Sequence, residues 1–253
     1  MPASIHFADL TFPQARALLD AGPVPVLLLP IGAVEPHGPH APLRTDSIIS
    51  MAVCERAATE LTGGEGIRAL VLPEIAFGVT RYGAAFTGAV TISEATLRAV
   101  VVEICAALQG QGFPHEVIVN SHFEPAHVAA LRDAAAAAGA GFLDLTRRVM
   151  AEQLTDEFRS GAAHAGRYET SMVLATHPEL VDAAVMRTLP PLPLDMPAAM
   201  ASGRHDFIAL GMDQAYCGAP AEATPGEGDA TLATLTALLI GLIRERVAGD
   251  HSA

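Results

Sequence analysis

The sequence predicts an α/β protein built on a mostly parallel sheet with helices on both faces. Three observations lead to that class. Strand-like and helix-like segments alternate along most of the 253 residues. Two apolar runs, within Val24–Ile31 and Glu116–Asn120, lack polar alternation and suit strands buried on both faces. Helical spacing of apolar residues fills the intervals between them, as parallel strands require of their crossovers. With 51% hydrophobic and 17% charged residues there is ample material for one core, so residues 1–253 are read as a single domain.

In chain order, Thr11–Ala21 reads as a short helix leading into the strand Val24–Ile31. A helix at Ser47–Leu61 and a strand at Ala69–Pro73 follow. After the glycine-rich stretch Gly78–Gly88, a little strand is expected at Ala89–Ile92. Ser93 then caps a helix to Gln109, with Leu97, Val100, Val101, Ile104 and Leu108 down one side. Glu116–Asn120 is the next strand, and Pro125 suits the first turn of a helix to Ala138. A strand at Gly141–Asp144, a helix at Thr146–Phe158 and a helix opening at Glu169–Ser171 continue the rhythm. Leu189–Pro197 reads as a proline-rich loop, and Ala230–Val247 as a long apolar final helix.

Charge and composition exclude several chemistries. The formal net charge of −13 disfavours nucleic acid as a partner. All 15 basic residues are arginine, which removes Schiff-base lysines, pyridoxal phosphate enzymes and the Walker lysine together. Three cysteines without close spacing point to a reducing, cytoplasmic setting. The N-terminal stretch lacks a charged-then-apolar signal pattern and no apolar run is read as reaching membrane-spanning length, so no membrane partner is expected.

Three clusters carry chemistry. The first strand breaks at Gly32 into a segment holding Glu35, His37, His40 and Asp46. In α/β sheets, sites form at the carboxyl ends of strands. The bland alternative makes Asp46 a helix N-cap and the histidines loop residues. The second cluster weighs against it, because Glu116–Asn120 also ends in an imidazole and a carboxylate, His122 and Glu124. Burying such groups unpaired costs several kcal/mol each, so two strand tips carrying them point to a metal. Five such side chains hold two divalent ions if one carboxylate bridges. The third cluster is His164-Ala-Gly-Arg-Tyr-Glu-Thr-Ser171, where His164 suits proton transfer near neutral pH.

With Pro30-Ile-Gly-Ala-Val-Glu-Pro-His-Gly-Pro-His40, Thr45-Asp46, Asn120-Ser-His-Phe-Glu124 and the third cluster in the right order, the chain resembles the creatininase (creatinine amidohydrolase) family. The resemblance implies a three-layer α/β/α fold, a homohexamer, and a binuclear zinc or manganese centre that hydrolyses amide bonds. It implies that His37 and Glu124 bind one metal, Glu35 and His122 the other, and that Asp46 bridges. His164 becomes the proton-transfer residue, and Glu169 holds the nearby loop or His164 itself. A metal-bound hydroxide then attacks the carbonyl of a small, cyclic amide and His164 protonates the departing nitrogen. Arg81, Tyr82 and Tyr168 are candidate substrate contacts, as is Arg167.

The chain departs from the family pattern at Ser121, at Pro125 and in the loop Arg81–Ala89. It also has no tryptophan, a residue that creatinine-specific members share in the pocket. A formamide deformylase, a peptidase trimming a cofactor precursor, and a non-catalytic metal-stabilised binding protein are the alternatives. His6, His115, His127, His177, His205 and His251 are read as structural.

Overall fold

The computed structural model describes residues 4–20, 22–62 and 66–250. Four strands, β1 (Val24–Ile31), β2 (Ile67–Val71), β3 (His115–Asn120) and β4 (Gly141–Leu143), form one all-parallel sheet in the order β2-β1-β3-β4. The two apolar runs are its central strands, and their register pairs Ile31 with Asn120 at the carboxyl end. That pairing sets the two chemistry-bearing tips side by side.

The helices are α1 (Phe12–Ala17), α2 (Thr45–Leu61), α3 (Glu94–Gln109) and α4 (Pro125–Ala138) in the first half of the chain. The short α5 (Arg148–Ala151), α6 (Asp156–Ser160), α7 (Arg167–Thr176), α8 (Ala183–Met186) and α9 (Met196–Ala201) follow, then α10 (Pro225–Asp250). Alternate residues of β1 feed opposite cores. Val26 and Leu28 pack with α2, α7 and α10, whereas Leu27, Leu29 and Ile31 pack with α3 and α4. The result is the expected layering of helix, sheet and helix.

Several local readings change. The helix expected over Thr146–Phe158 is two helices, because the Thr155 hydroxyl accepts the Phe158 N–H and starts α6 afresh. The little strand at Ala89–Ile92 is only a bridge in which Val90 N–H donates to the Val34 carbonyl. The first helix closes at Ala17, and Ala21 lies outside the described residues. Helix α2 opens at Thr45, so Asp46 sits within the first turn and is not the N-cap. Helix α10 does reach the length and composition of a membrane span. It packs Leu232, Leu235, Leu239, Ile240 and Ile243 into the core, which accounts for its apolar character.

A buried carboxylate closes the second half of the fold around the loop that carries His164. Glu157 in α6 accepts the Tyr168 N–H on Oε2 at 2.6 Å and the Ala219 N–H on Oε1 at 2.7 Å. It thereby joins α6, the start of α7 and the segment beside Cys217, whose N–H donates to the His164 carbonyl. Replacing Glu157 by Ala leaves two amide donors unsatisfied, at a cost of about 2–4 kcal/mol. Calorimetry should show the Tm of Glu157→Ala lower by roughly 5–12 °C; an unchanged Tm would mean that water takes over both amides.

Candidate metal centre

The end of β1 lies hard against the start of α2, and only glycine fits there. A Cβ on Gly32 would stand 2.5 Å from the Ser47 nitrogen. This approach brings the Glu35–His37 segment over Asp46. Asp46 and Glu169 both lie in first turns, of α2 and α7, where the helix dipole favours a carboxylate. His122 and Glu124 follow the tip of β3, and His164 comes from the loop before α7.

All of these groups are buried, and six of them meet closely. His37 Nε2 lies 3.1 Å from Asp46 Oδ1, 3.6 Å from Glu169 Oε2 and 3.8 Å from Glu35 Oε1. His122 Nδ1 lies 3.1 Å from Glu35 Oε1 and 3.3 Å from Asp46 Oδ2. His164 Nδ1 lies 3.6 Å from Glu35 Oε1. The Thr80 hydroxyl donates to the other Glu35 oxygen at 2.6 Å.

In each of these imidazoles the far nitrogen faces a backbone carbonyl. His37 Nδ1–H donates to Glu35 O at 3.1 Å, His122 Nε2–H to Val79 O at 2.8 Å, and His164 Nε2–H to Pro36 O at 3.0 Å. This fixes the tautomer of a neutral ring and turns the near nitrogen's lone pair toward carboxylate oxygens. Lone pair against carboxylate repels unless a proton or a cation lies between them. The donor set therefore fits divalent cations, and imidazoles held from behind by carbonyls are the usual support of metal ligands.

Three sets of ligand atoms, each within 4.8 Å of one another, are present: Glu35/Asp46/His122, His37/Asp46/Glu169 and Glu35/His37/His164. Asp46 belongs to two of them and offers one oxygen to each histidine, as a bridging carboxylate must. Its buried Oδ2 makes no hydrogen bond. Burial disfavours charge throughout, yet the carboxylates around His37, Asp46 foremost, outweigh it and hold that imidazole up at about 10. Burial likewise opposes charge on Glu35, but His122 outweighs it and brings the carboxyl down to about 2. Burial prevails at Glu169, which rises to about 8.

The remaining predicted residues are placed less uniformly. Glu124 lines the same cavity, but its Oε2 accepts the N–H groups of Arg81 and Tyr82 at 2.7 and 3.2 Å, and Glu169 is the carboxylate beside His37. Tyr82 lines the cavity. Arg81 does not, because its guanidinium pairs with Glu94 on the exposed side. Tyr168 is buried in the core against Phe158, and Arg167 pairs with Asp156, Glu222 and Glu227. Sequence reasoning missed the cavity wall of about 360 Å³, where Phe123, Phe158, Met196, Met200 and Phe207 supply the apolar surface. It also missed Asn120 and His127 beneath His122; His127 carried no cue beyond its place in the first turn of α4.

The family profile described as creatinine amidohydrolase matches residues 8–243. The chain is 32% identical to a creatinine amidohydrolase of Pseudomonas putida over 206 residues, covering 72% of this chain and 75% of that protein. It is also 32% identical to a mycofactocin precursor peptide peptidase of Mycolicibacterium smegmatis, covering 84% of this chain and 81% of the relative. A solved structure of manganese creatininase superposes with a TM-score of 0.69 at 27% identity, covering 96% of this chain and 98% of that one. The chain therefore belongs to the creatininase family, as an amidohydrolase acting on C–N bonds.

Proposed function

We propose that this protein is a binuclear metal-dependent amidohydrolase that opens a C–N bond in a small, cyclic amide. The observation that carries the reading is Asp46, whose two oxygens face two imidazoles that backbone carbonyls have already oriented as ligands. Glu35, Asp46 and His122 would hold one cation, and His37, Asp46 and Glu169 the other. Glu124, given to that second cation by resemblance, lines the same cavity, with Oε2 accepting the Arg81 and Tyr82 amides. Mixed imidazole and carboxylate donors suit zinc and manganese alike. When bound, such a pair supplies a nucleophile from water near neutral pH and polarises the amide carbonyl.

The chain's own residues do the rest. Burial holds His164 down at about 4, so the ring is neutral near physiological pH and Nδ1 is open to a proton. With Nε2–H committed to the Pro36 carbonyl, only Nδ1 is left to exchange a proton in the cavity. It takes a proton from the attacking water and delivers it to the departing nitrogen as the C–N bond breaks. Phe207 packs against the ring, with centroids 4.5 Å apart and planes tilted by 37°, and covers it on the cavity side. The wall of Phe and Met side chains suits an amide with an apolar body, and Tyr82 is the polar contact. A cavity of about 360 Å³ favours a small substrate over an extended chain.

A cytoplasmic setting and a homohexamer of this single domain belong to the same reading, and sedimentation velocity tests the assembly. The competing reading, a formamide deformylase or precursor peptidase, is favoured by a cavity wall without tryptophan. A panel of lactams, formamides and short peptides, assayed with and without chelator, separates these activities from a non-catalytic binding protein. Chelator-sensitive turnover of a lactam is expected, and inertness on every substrate with ligand binding intact would sink the enzyme reading. Asp46→Ala should lose both cations by elemental analysis and fall to the activity of chelated protein. His164→Ala should keep its metal and lose about 10²–10⁴-fold in kcat. Loss of one cation in that variant would instead make His164 a ligand.

A further inference from the structure

A closed circuit of hydrogen bonds lies beneath His122, and it runs through a histidine that the reaction does not use. Val79 N–H donates to His127 Nδ1 at 3.2 Å, and His127 Nε2–H donates to Asn120 Oδ1 at 2.9 Å. Asn120 Nδ2–H donates to the His122 carbonyl at 2.6 Å, and His122 Nε2–H returns to the Val79 carbonyl at 2.8 Å. His122 N–H also donates to Asn120 Oδ1. One residue, Val79, thus binds both imidazoles, one through its N–H and the other through its carbonyl. The rings meet edge to face, with centroids 4.7 Å apart and planes at 85°.

The circuit has one workable proton arrangement. An amide N–H pointing at His127 Nδ1 requires a lone pair there, which places the ring proton on Nε2 facing Asn120. The packing leaves no slack, since His127 is fully buried and a Cβ on Gly78 would stand 2.6 Å from its ring. His127 touches none of the carboxylates that face His122 Nδ1. Its hydrogen bonds reach His122 through Val79 and Asn120, and its ring meets the His122 ring edge to face.

We propose that His127 is a positioning residue, which holds the Val79 peptide and Asn120 so that His122 presents Nδ1 to a divalent cation. This rests on the reading that Glu35, Asp46 and His122 bind that cation. His127 selects which face of the Val79 peptide meets His122. With it gone, Val79 N–H loses its buried acceptor and the peptide is free to turn its carbonyl away from Nε2.

The test is competitive titration of the full-length apoprotein with zinc against a chromophoric chelator, alongside the Tm of the metal-free forms. His127→Phe keeps a ring but no hydrogen bonds, and should bind zinc at least about tenfold more weakly at the tighter-affected site. His127→Gln, which offers an acceptor and a donor, should recover most of that affinity. Unchanged zinc affinity in His127→Phe with a lowered apo Tm would overturn the proposal and leave His127 a packing residue. If His127→Phe does not fold, Asn120→Ser opens the same circuit at its other junction and is read the same way. Failure of the wild-type chain to take up zinc removes the metal-centre reading itself, a result distinct from equal affinities in wild type and variant.

Discussion

The structure depends on the burial of four carboxyl groups and three imidazoles in one water-poor pocket. Taking charges out of water costs several kcal/mol apiece, and only close opposite charge returns it. Glu35, Asp46 and Glu169 face His37 and His122 at 3.1–3.6 Å along the shortest paths, so without a cation the pocket balances itself with protons on nitrogen. That arrangement is tolerable but contradictory. The same imidazoles are held from behind by the carbonyls of Glu35 and Val79, which orient their near nitrogens as ligands. A pocket evolved only for ion pairing has no need to fix both rings this way.

The scaffold is arranged to serve that constraint. Pairing of Ile31 with Asn120 aligns the two strand tips, and Gly32 lets α2 deliver Asp46 beneath them. The second half of the chain then supplies Glu169 and His164 from a separate direction. Ala165 N–H donates to Glu169 Oε2 at 2.7 Å, so the carboxylate that faces His37 also braces the backbone next to His164. Glu157 holds that loop from its other side. Structural loss at Glu157 would therefore reach the chemistry through the loop's position, with no change in any ligand.

Much of this was legible in the sequence where a single strand or helix decides the outcome. The buried strands announce themselves as unbroken apolar runs, and a carboxylate or imidazole just past such a run has few places to go except the sheet's carboxyl edge. Glu35, His37, Asp46, His122 and Glu124 all follow such runs, and the structure gathers them at that edge. What escaped depends on contacts between distant segments. Tyr168 and Glu169 are neighbours, yet a step of one residue on α7 turns Tyr168 into the core while Glu169 faces the site. Arg81 is drawn away by Glu94, while the backbone amides of Arg81 and Tyr82 hold one oxygen of Glu124 on the cavity wall. The break between α5 and α6 was in reach, since Thr155 followed by Asp156 and Glu157 is a helix start.

Glu124 and Glu169 both line the cavity, and the backbone amides that each accepts bear on what the cavity takes. Glu124 is fixed by the Arg81 and Tyr82 amides, so the loop Arg81–Ala89 sets the position of a carboxylate on the cavity wall. Tyr82 comes from that same loop and lines the cavity, with its ring 6.3 Å from Phe207, which in turn covers His164. A change in the loop thus moves the cavity wall and the surroundings of His164 together, while Asp46, held in the first turn of α2, stays put. The groups that could hold a cation sit beside strand tips and in helix first turns, and the loop that carries Tyr82 touches them at one remove.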